Sequence, residues 1–333
     1  MKKPLSLFLL FSFLLSCKSP IETVDDFELE APEPTFYITT MTHMEGDFKD
    51  DEIEALFNKH VEDMTWAMDL FDEYGAKLTF ESEQPFAKAC SKWGVNILKE
   101  VVERGHGVGT HADFGAGKKA MSMDEFIAAF EENKKLVDDL VGAENNKGVS
   151  GGTGPTDWVL ASAAAGFDFR DGITGFGYLS MDESERPEGW TDEYIRDITY
   201  HDPIPVDFEE RIYSLLLKDA TDLEEDEDGI MVIMGGDIGE LASLAEGRKE
   251  CFPDCEFNSE DVAAYQASLD EALSLWDHER VARINIHIPA KLLTEQYEDT
   301  LRELLETIQA YVDRGEVEWA TQLESYEGYK EYN

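Results

Sequence analysis

The residues with the most chemical potential fall into two short motifs and two single positions. "THMEGD" carries His43, Glu45 and Asp47, and "GTHADFG" carries His111 and Asp113. Asp237 follows two glycines in "IMGGD", and His287 closes "INIHIP". Side chains two residues apart on a strand point the same way. His43 and Glu45 can therefore face one site, as can His111 and Asp113. Imidazole with carboxylate suits a divalent ion, zinc first and iron, cobalt or nickel next. Such an ion activates water and polarises a carbonyl. His287 would then serve as a general acid or steady an oxyanion. The other histidines read as scaffold or surface: His60 lies on a helix stripe, His106 opens a strand, His278 follows a helix, and His201 lies in an irregular stretch.

The elements that must position these groups repeat one pattern: an amphipathic helix, a glycine, a short β-rich run. The helix expected over 50–74 places Ile53, Leu56, Phe57, Val61, Met64, Met68 and Phe71 at helical spacing before Gly75 and "AKLTFE". Further helices are expected over 94–104, 122–141, opened by the "SMDE" capping box, 156–165 and 294–314, with a last one capped by "TQLE" at 321–324. Strands are expected at 35–43, 229–236 and 281–289, and after each helix-ending glycine. Alternation of this kind makes a parallel sheet, and the number of units makes it an α/β fold, a distorted (β/α) barrel of about seven strands. An open doubly wound sheet is the alternative. In barrels the chemistry sits at the C-terminal strand ends, which is where His43, His111, Asp237 and His287 fall. The stretch 175–208, rich in Gly, Pro and aromatics, reads as an insertion over one end. Its Phe176, Tyr178, Trp190 and Tyr200 offer either a glycan-stacking wall or packing for the insertion itself.

The N-terminus reads as targeting. Lys2 and Lys3 precede a 12-residue apolar run over 5–16, shorter than the roughly 20 residues a bilayer needs but suited to a signal peptide. "LLSC" ends it as a lipoprotein cleavage box, with Cys17 the lipidated residue. Residues 17–34 form an acidic, proline-bearing tether, and 35–333 form the barrel with no internal boundary. Export and a lipid anchor in the cell envelope follow, with the outer membrane favoured because Lys18 gives no retention signal. The net charge of −45 argues against nucleic acid and anionic lipid as partners. No segment marks a protein partner. The acidic run 222–229 lacks the glutamate a calcium loop would need at 235 and reads as a solvated loop. "CFPDC" is spaced for a loop-closing disulfide between Cys251 and Cys255, leaving Cys90 unpaired.

Several motifs together resemble the polysaccharide deacetylase family, the NodB-homology or carbohydrate esterase family 4 group. "RGHGVGTH" (104–111) matches the family's Arg-Gly-His-Glu-Ile-Gly-Asn-His. "GVSGGTGPTDWVLASAAAGF" (148–167) stands where the family has Arg-x-Pro, a helix and Gly-Phe. "INIHIP" and "RGEVEWATQLES" resemble its later strands and closing helix. The resemblance covers roughly 36–326. It implies a NodB-like barrel, a divalent metal held by one Asp and two His, and hydrolysis of N- or O-acetyl groups on envelope glycans. His111 matches the first metal histidine, and Glu45 takes the metal carboxylate's place. His287 matches the histidine beside the reaction centre. Thr153 and Pro155, near the Arg-x-Pro position, fall with Asp237 among the substrate-binding positions. The chain departs from the family at Gly115, where a second metal histidine belongs, at Met44, where the base belongs, and in lacking the motif arginine. A rewired site would use Glu45, His111 and either Asp113 or His43 as ligands, with His43 or Asp47 as base. Otherwise the barrel binds glycans without catalysis, or hydrolyses an amide on a non-glycan substrate.

Overall fold

The computed structural model describes residues 33–45, 49–112, 121–152, 154–199 and 201–333. Cys17, the expected leader and the expected tether up to residue 32, Asp47, Asp113, Gly115, Thr153 and Tyr200 lie outside the described residues. The described residues cluster as one compact unit.

Among the described residues, ten strands build one curled sheet. They are β1 (Phe36–Met44), β2 (Thr79–Ser82), β3 (Gly107–Ala112), β4 (Gly148–Gly151), β5 (Phe169–Arg170), β6 (Leu215–Leu217), β7 (Met231–Ile233), β8 (Asp237–Glu240), β9 (Ala282–His287) and β10 (Glu318–Trp319). The order is β6-β7-β5-β4-β3-β2-β1-β9-β8, with β10 pairing the start of β1. All pairs are parallel except β6 with β7. The sheet curls into an incomplete barrel, and the segment before β6 reaches back to β9. Tyr213 bridges Ala282, and the Arg283 N–H donates to Ile212 O at 3.0 Å.

Two strands, β6 and β8, add to those the pattern predicts. "LLL" is too short to show alternation, and "DIGE" carries no apolar run, so neither has a readable period. Asp237 is corrected accordingly: it opens β8 rather than ending the strand before it.

The helices are α1 (Glu54–Asp72), α2 (Gln84–Trp93), α3 (Ile97–Glu103), α4 (Met123–Val141), α5 (Trp158–Ala164), α6 (Asp192–Tyr194), α7 (Phe208–Arg211), α8 (Arg248–Cys251), α9 (Ser259–Leu275), α10 (Glu298–Val312) and α11 (Gln322–Tyr332). The predicted stripe of α1 buries Phe57, Met64, Met68 and Phe71, whereas Ile53 stands outside the helix as its exposed N-cap. The expected helix over 94–104 is α3, which starts at Ile97 behind the Asn96 side-chain cap, and α2, which no expectation covered, precedes it and ends at Gly94, at φ +76°. Ser122 and Thr321 make the capping boxes read from the sequence. No described helix is long and apolar enough to cross a membrane.

The large core cluster joins β1, β2 and β9 to α1–α3, α9 and α10, and a second joins α4 and α5 to the irregular stretch after β5. At the barrel axis the interior turns polar. Arg283 is held by Asp171 at 2.7 Å, by Gln322 of α11 and by the Gly235 carbonyl. Gln322 also donates to Asn285 at 2.7 Å. Buried polar groups need partners, and here strands and closing helix supply them to one another. Cys251 and Cys255 form the expected disulfide, and Cys90 is free and buried.

Candidate active site

Parallel pairing brings the chemistry to one end of the sheet. His43 on β1 pairs with Glu81 on β2, His111 on β3 pairs with Ser150 on β4, and Val149 pairs with Arg170 on β5. His287 ends β9 opposite Met41. Glu45 lies one residue beyond β1. One side chain per strand thus projects toward a common floor. Gly109 makes room for this row: it pairs with Glu81, and a Cβ there would stand 3.1 Å from Glu81 Cγ.

His43, Glu45 and His111 each offer a ligand atom within 4.8 Å of the other two, and this trio could hold a metal ion. The two imidazoles stack with centroids 3.8 Å apart, and His287 lies 4.5 Å from His43. Hydrogen bonds fix which ring nitrogens face Glu45. Ser150 donates its hydroxyl proton to Glu81 Oε2. Its oxygen then accepts from His111 Nδ1 at 2.7 Å. His43 Nε2 lies 3.2 Å from Glu81 Oε2 and 3.2 Å from Ser150 Oγ. With those nitrogens protonated, the lone pairs sit on His43 Nδ1 and His111 Nε2. These are the atoms nearest Glu45, at 4.0 Å and 3.5 Å. Histidines that bind metals usually have their far nitrogen tied to a carboxylate or another polar group in this way.

The electrostatics agree with that arrangement. Burial, and then His111, push His43 well below the ordinary histidine range, so its ring is neutral. Burial acts to raise Glu45, but His111 and then the other nearby histidines hold it at about 2. Burial pushes Glu81 up to about 7, against the Ser150 hydrogen bond and the charges of His111 and Arg170. His287 is pushed well below its usual range by burial and then by His43, and its buried Nε2 has no hydrogen-bond partner.

Above the floor opens a cleft of about 570 Å³. Asp237 lines it, 8% exposed, accepting from the Gly239 N–H at 3.0 Å. Pro155 does not line the cleft, so the structure does not bring it to the site. Phe176 lines the wall, whereas Tyr178 is fully buried, 5.8 Å from Trp158 and 4.9 Å from Trp190. Most of the expected aromatic wall is therefore the packing of the insertion. His106 sits apart from the cluster: its Nδ1 accepts from the Leu78 N–H, and its Nε2 faces Asp72 at 3.3 Å.

Glu81, Ser150 and Arg170 are the site residues that sequence reasoning passes over. A signal existed for the first: Glu81 and Glu83 have the same alternate spacing at a strand end as His43 and Glu45. Nothing in "KGVSGG" distinguishes Ser150 from an ordinary turn serine.

Neither a family model nor a curated protein matches this sequence. Solved structures do match its fold. One is assigned as a polysaccharide deacetylase from Mycobacterium smegmatis, with a TM-score of 0.54 and 11% identity over 90% of this chain and 92% of that one. Another is Puue allantoinase, with a TM-score of 0.54 and 10% identity over 88% of this chain and 89% of that one. A third, 4-alpha-glucanotransferase from Thermococcus litoralis, has a TM-score of 0.51 and 14% identity over 89% of this chain and 40% of that one. At such identities the likeness is one of fold: this chain is an α/β protein with a NodB-like, incompletely closed (β/α) barrel. What the barrel does must be argued from its own site.

Proposed function

We propose that this protein is a metal-dependent hydrolase that removes acyl groups from sugars of an envelope or extracellular polysaccharide. The observation that carries it is the orientation of His43 Nδ1 and His111 Nε2 toward Glu45 on the cleft floor. Two nitrogens and a carboxylate with a side open to the cleft are the donor set of a catalytic zinc site, and iron, cobalt or nickel suit it also. A divalent ion there supplies Lewis acidity toward an acyl carbonyl and acidifies water.

In this reading His43 joins Glu45 and His111 as a ligand, in the place otherwise open to Asp113. Glu81 and Ser150 hold the two rings in the required tautomers. Glu81, buried and in contact with Ser150 and His43 Nε2, positions the two rings and is given no proton-transfer step. His287 faces the cleft as a neutral imidazole with its Nε2 unpartnered. Of its two expected roles, a neutral ring favours donation of a hydrogen bond to the developing oxyanion. Asp237 bounds the sugar-binding side. Asp47 is given no step. The fold likeness to a polysaccharide deacetylase supports a glycan substrate, and the leader ending in Cys17 supports an exported, lipid-anchored enzyme.

The test is acetate release from acetylated chito-oligosaccharides and acetylated xylan. The wild type should release acetate, and His287→Ala should lower kcat by about 10²-fold with KM little changed. Absence of release from every acylated glycan, by a protein loaded with zinc, cobalt or nickel, would refute the reading.

A further inference from the structure

Arg170 is a cleft residue whose chemistry the proposed reaction leaves unused. It ends β5 and is 3% exposed, yet it lines the cleft. Its guanidinium lies 4.6 Å over the Trp158 ring, and Nη2 donates to the Gly151 carbonyl. Nε and Nη1 have no hydrogen-bond partner. No carboxylate of the described residues lies within ion-pair distance. Asp171, next in sequence, is turned to Arg283 at 2.7 Å, and Glu81, which acts on Arg170 through space, has Oε2 engaged by Ser150. Burying a charge without a counter-ion costs several kcal/mol, and two orphaned donors add to that cost. An exposed surface could leave such a cation to water, but this one is walled by Trp158, Gly151 and the strand ends.

The chain as a whole is strongly acidic, with 28 Lys and Arg against 73 Asp and Glu. Its outer surface therefore disfavours anionic ligands, so an unpaired arginine on a cleft floor is a local exception. Arg248, the other arginine of the cleft, differs: it is paired with Glu240 at 3.5 Å and stacks on Phe252 at the rim.

We propose that Arg170 binds a carboxylate in the cleft it lines, its free N–H groups forming the anion site beside the histidine cluster. Two sources carry that group: a sugar acid within the polysaccharide, or the acyl carboxylate released by hydrolysis. The naming of these sources rests on the proposed hydrolase reading, whereas the anion site itself does not.

Binding of glucuronate, glucose and acetate to the full chain, measured by calorimetry or ligand-observed NMR, tests this. Glucuronate should bind at least tenfold more tightly than glucose. Arg170→Gln should remove that preference, and Arg170→Lys, which keeps the charge, should weaken it less. His111→Ala should retain it. Acetate competing as well as glucuronate identifies the released acyl group as the source, and glucuronate binding at least tenfold better identifies a sugar acid. Glucuronate no better than glucose overturns the proposal and needs no variant to show it. So does unchanged preference in a folded Arg170→Gln, or loss of preference in His111→Ala, which would be coordination by a metal. Intact glucuronate binding without hydrolysis of any acylated glycan would refute the proposed function and leave the anion site standing.

Discussion

Ser150 organises the residues of the site more than any predicted ligand does. One hydroxyl contacts His111, His43 and Glu81, and so decides which nitrogen of each ring faces Glu45. Ser150→Ala should weaken zinc or cobalt binding by about 10–100-fold, read by competition with a chelator, while leaving the fold intact. An affinity unchanged by the mutation would show that the tautomers are set elsewhere. His43, Glu45 and His111 were legible because histidine and carboxylate at alternate positions of a strand have few other uses, and His287 because it ends a strand. Ser150 was not, because its role depends on pairing with a strand 39 residues away. Asp237 was legible as a polar strand-end residue, although its strand was misplaced.

Elements were legible where local chemistry marks their boundaries. The boxes at Ser122 and Thr321 each satisfy two backbone donors and fix where α4 and α11 begin. The start of α11 matters beyond itself, since its first residue, Gln322, reaches Arg283, Asn285 and the Thr40 carbonyl inside the barrel. Thr321→Ala should therefore cost about 1 kcal/mol of stability, the usual value of an N-cap. Urea unfolding should show it as a lower midpoint with an unchanged slope. β6 and β8 were not legible because their partners, rather than their own residues, make them strands: β6 pairs with β7, and β8 pairs with β9 through an irregular register. α2, over Gln84–Trp93, was passed over, and the helix expected from 94 begins only at Ile97, after Gly94 has ended α2.

At the scale of the whole molecule, a chain of net charge −45 contains a barrel whose cleft floor carries histidines and an unpaired arginine. Self-repulsion of the surface should be relieved by screening, since the Debye length falls from about 10 Å at 0.1 M salt to about 3 Å at 1 M. The melting temperature should rise with sodium chloride through that range, and a flat or falling trend would count against net repulsion as a destabilising term. Composition thus accounts for the molecule's exterior and pattern for its barrel, but the site comes from register, which sets strand neighbours side by side. The claim on which the functional account turns is that His43, Glu45 and His111 hold one metal ion. Elemental analysis of the purified, dialysed chain measures it directly. About one divalent ion per wild-type chain, and a loss of most of it in both His111→Ala and His43→Ala, is the predicted result. A wild type that binds no stoichiometric ion when offered zinc, cobalt or nickel, or a His43→Ala variant that keeps its full complement, would contradict it.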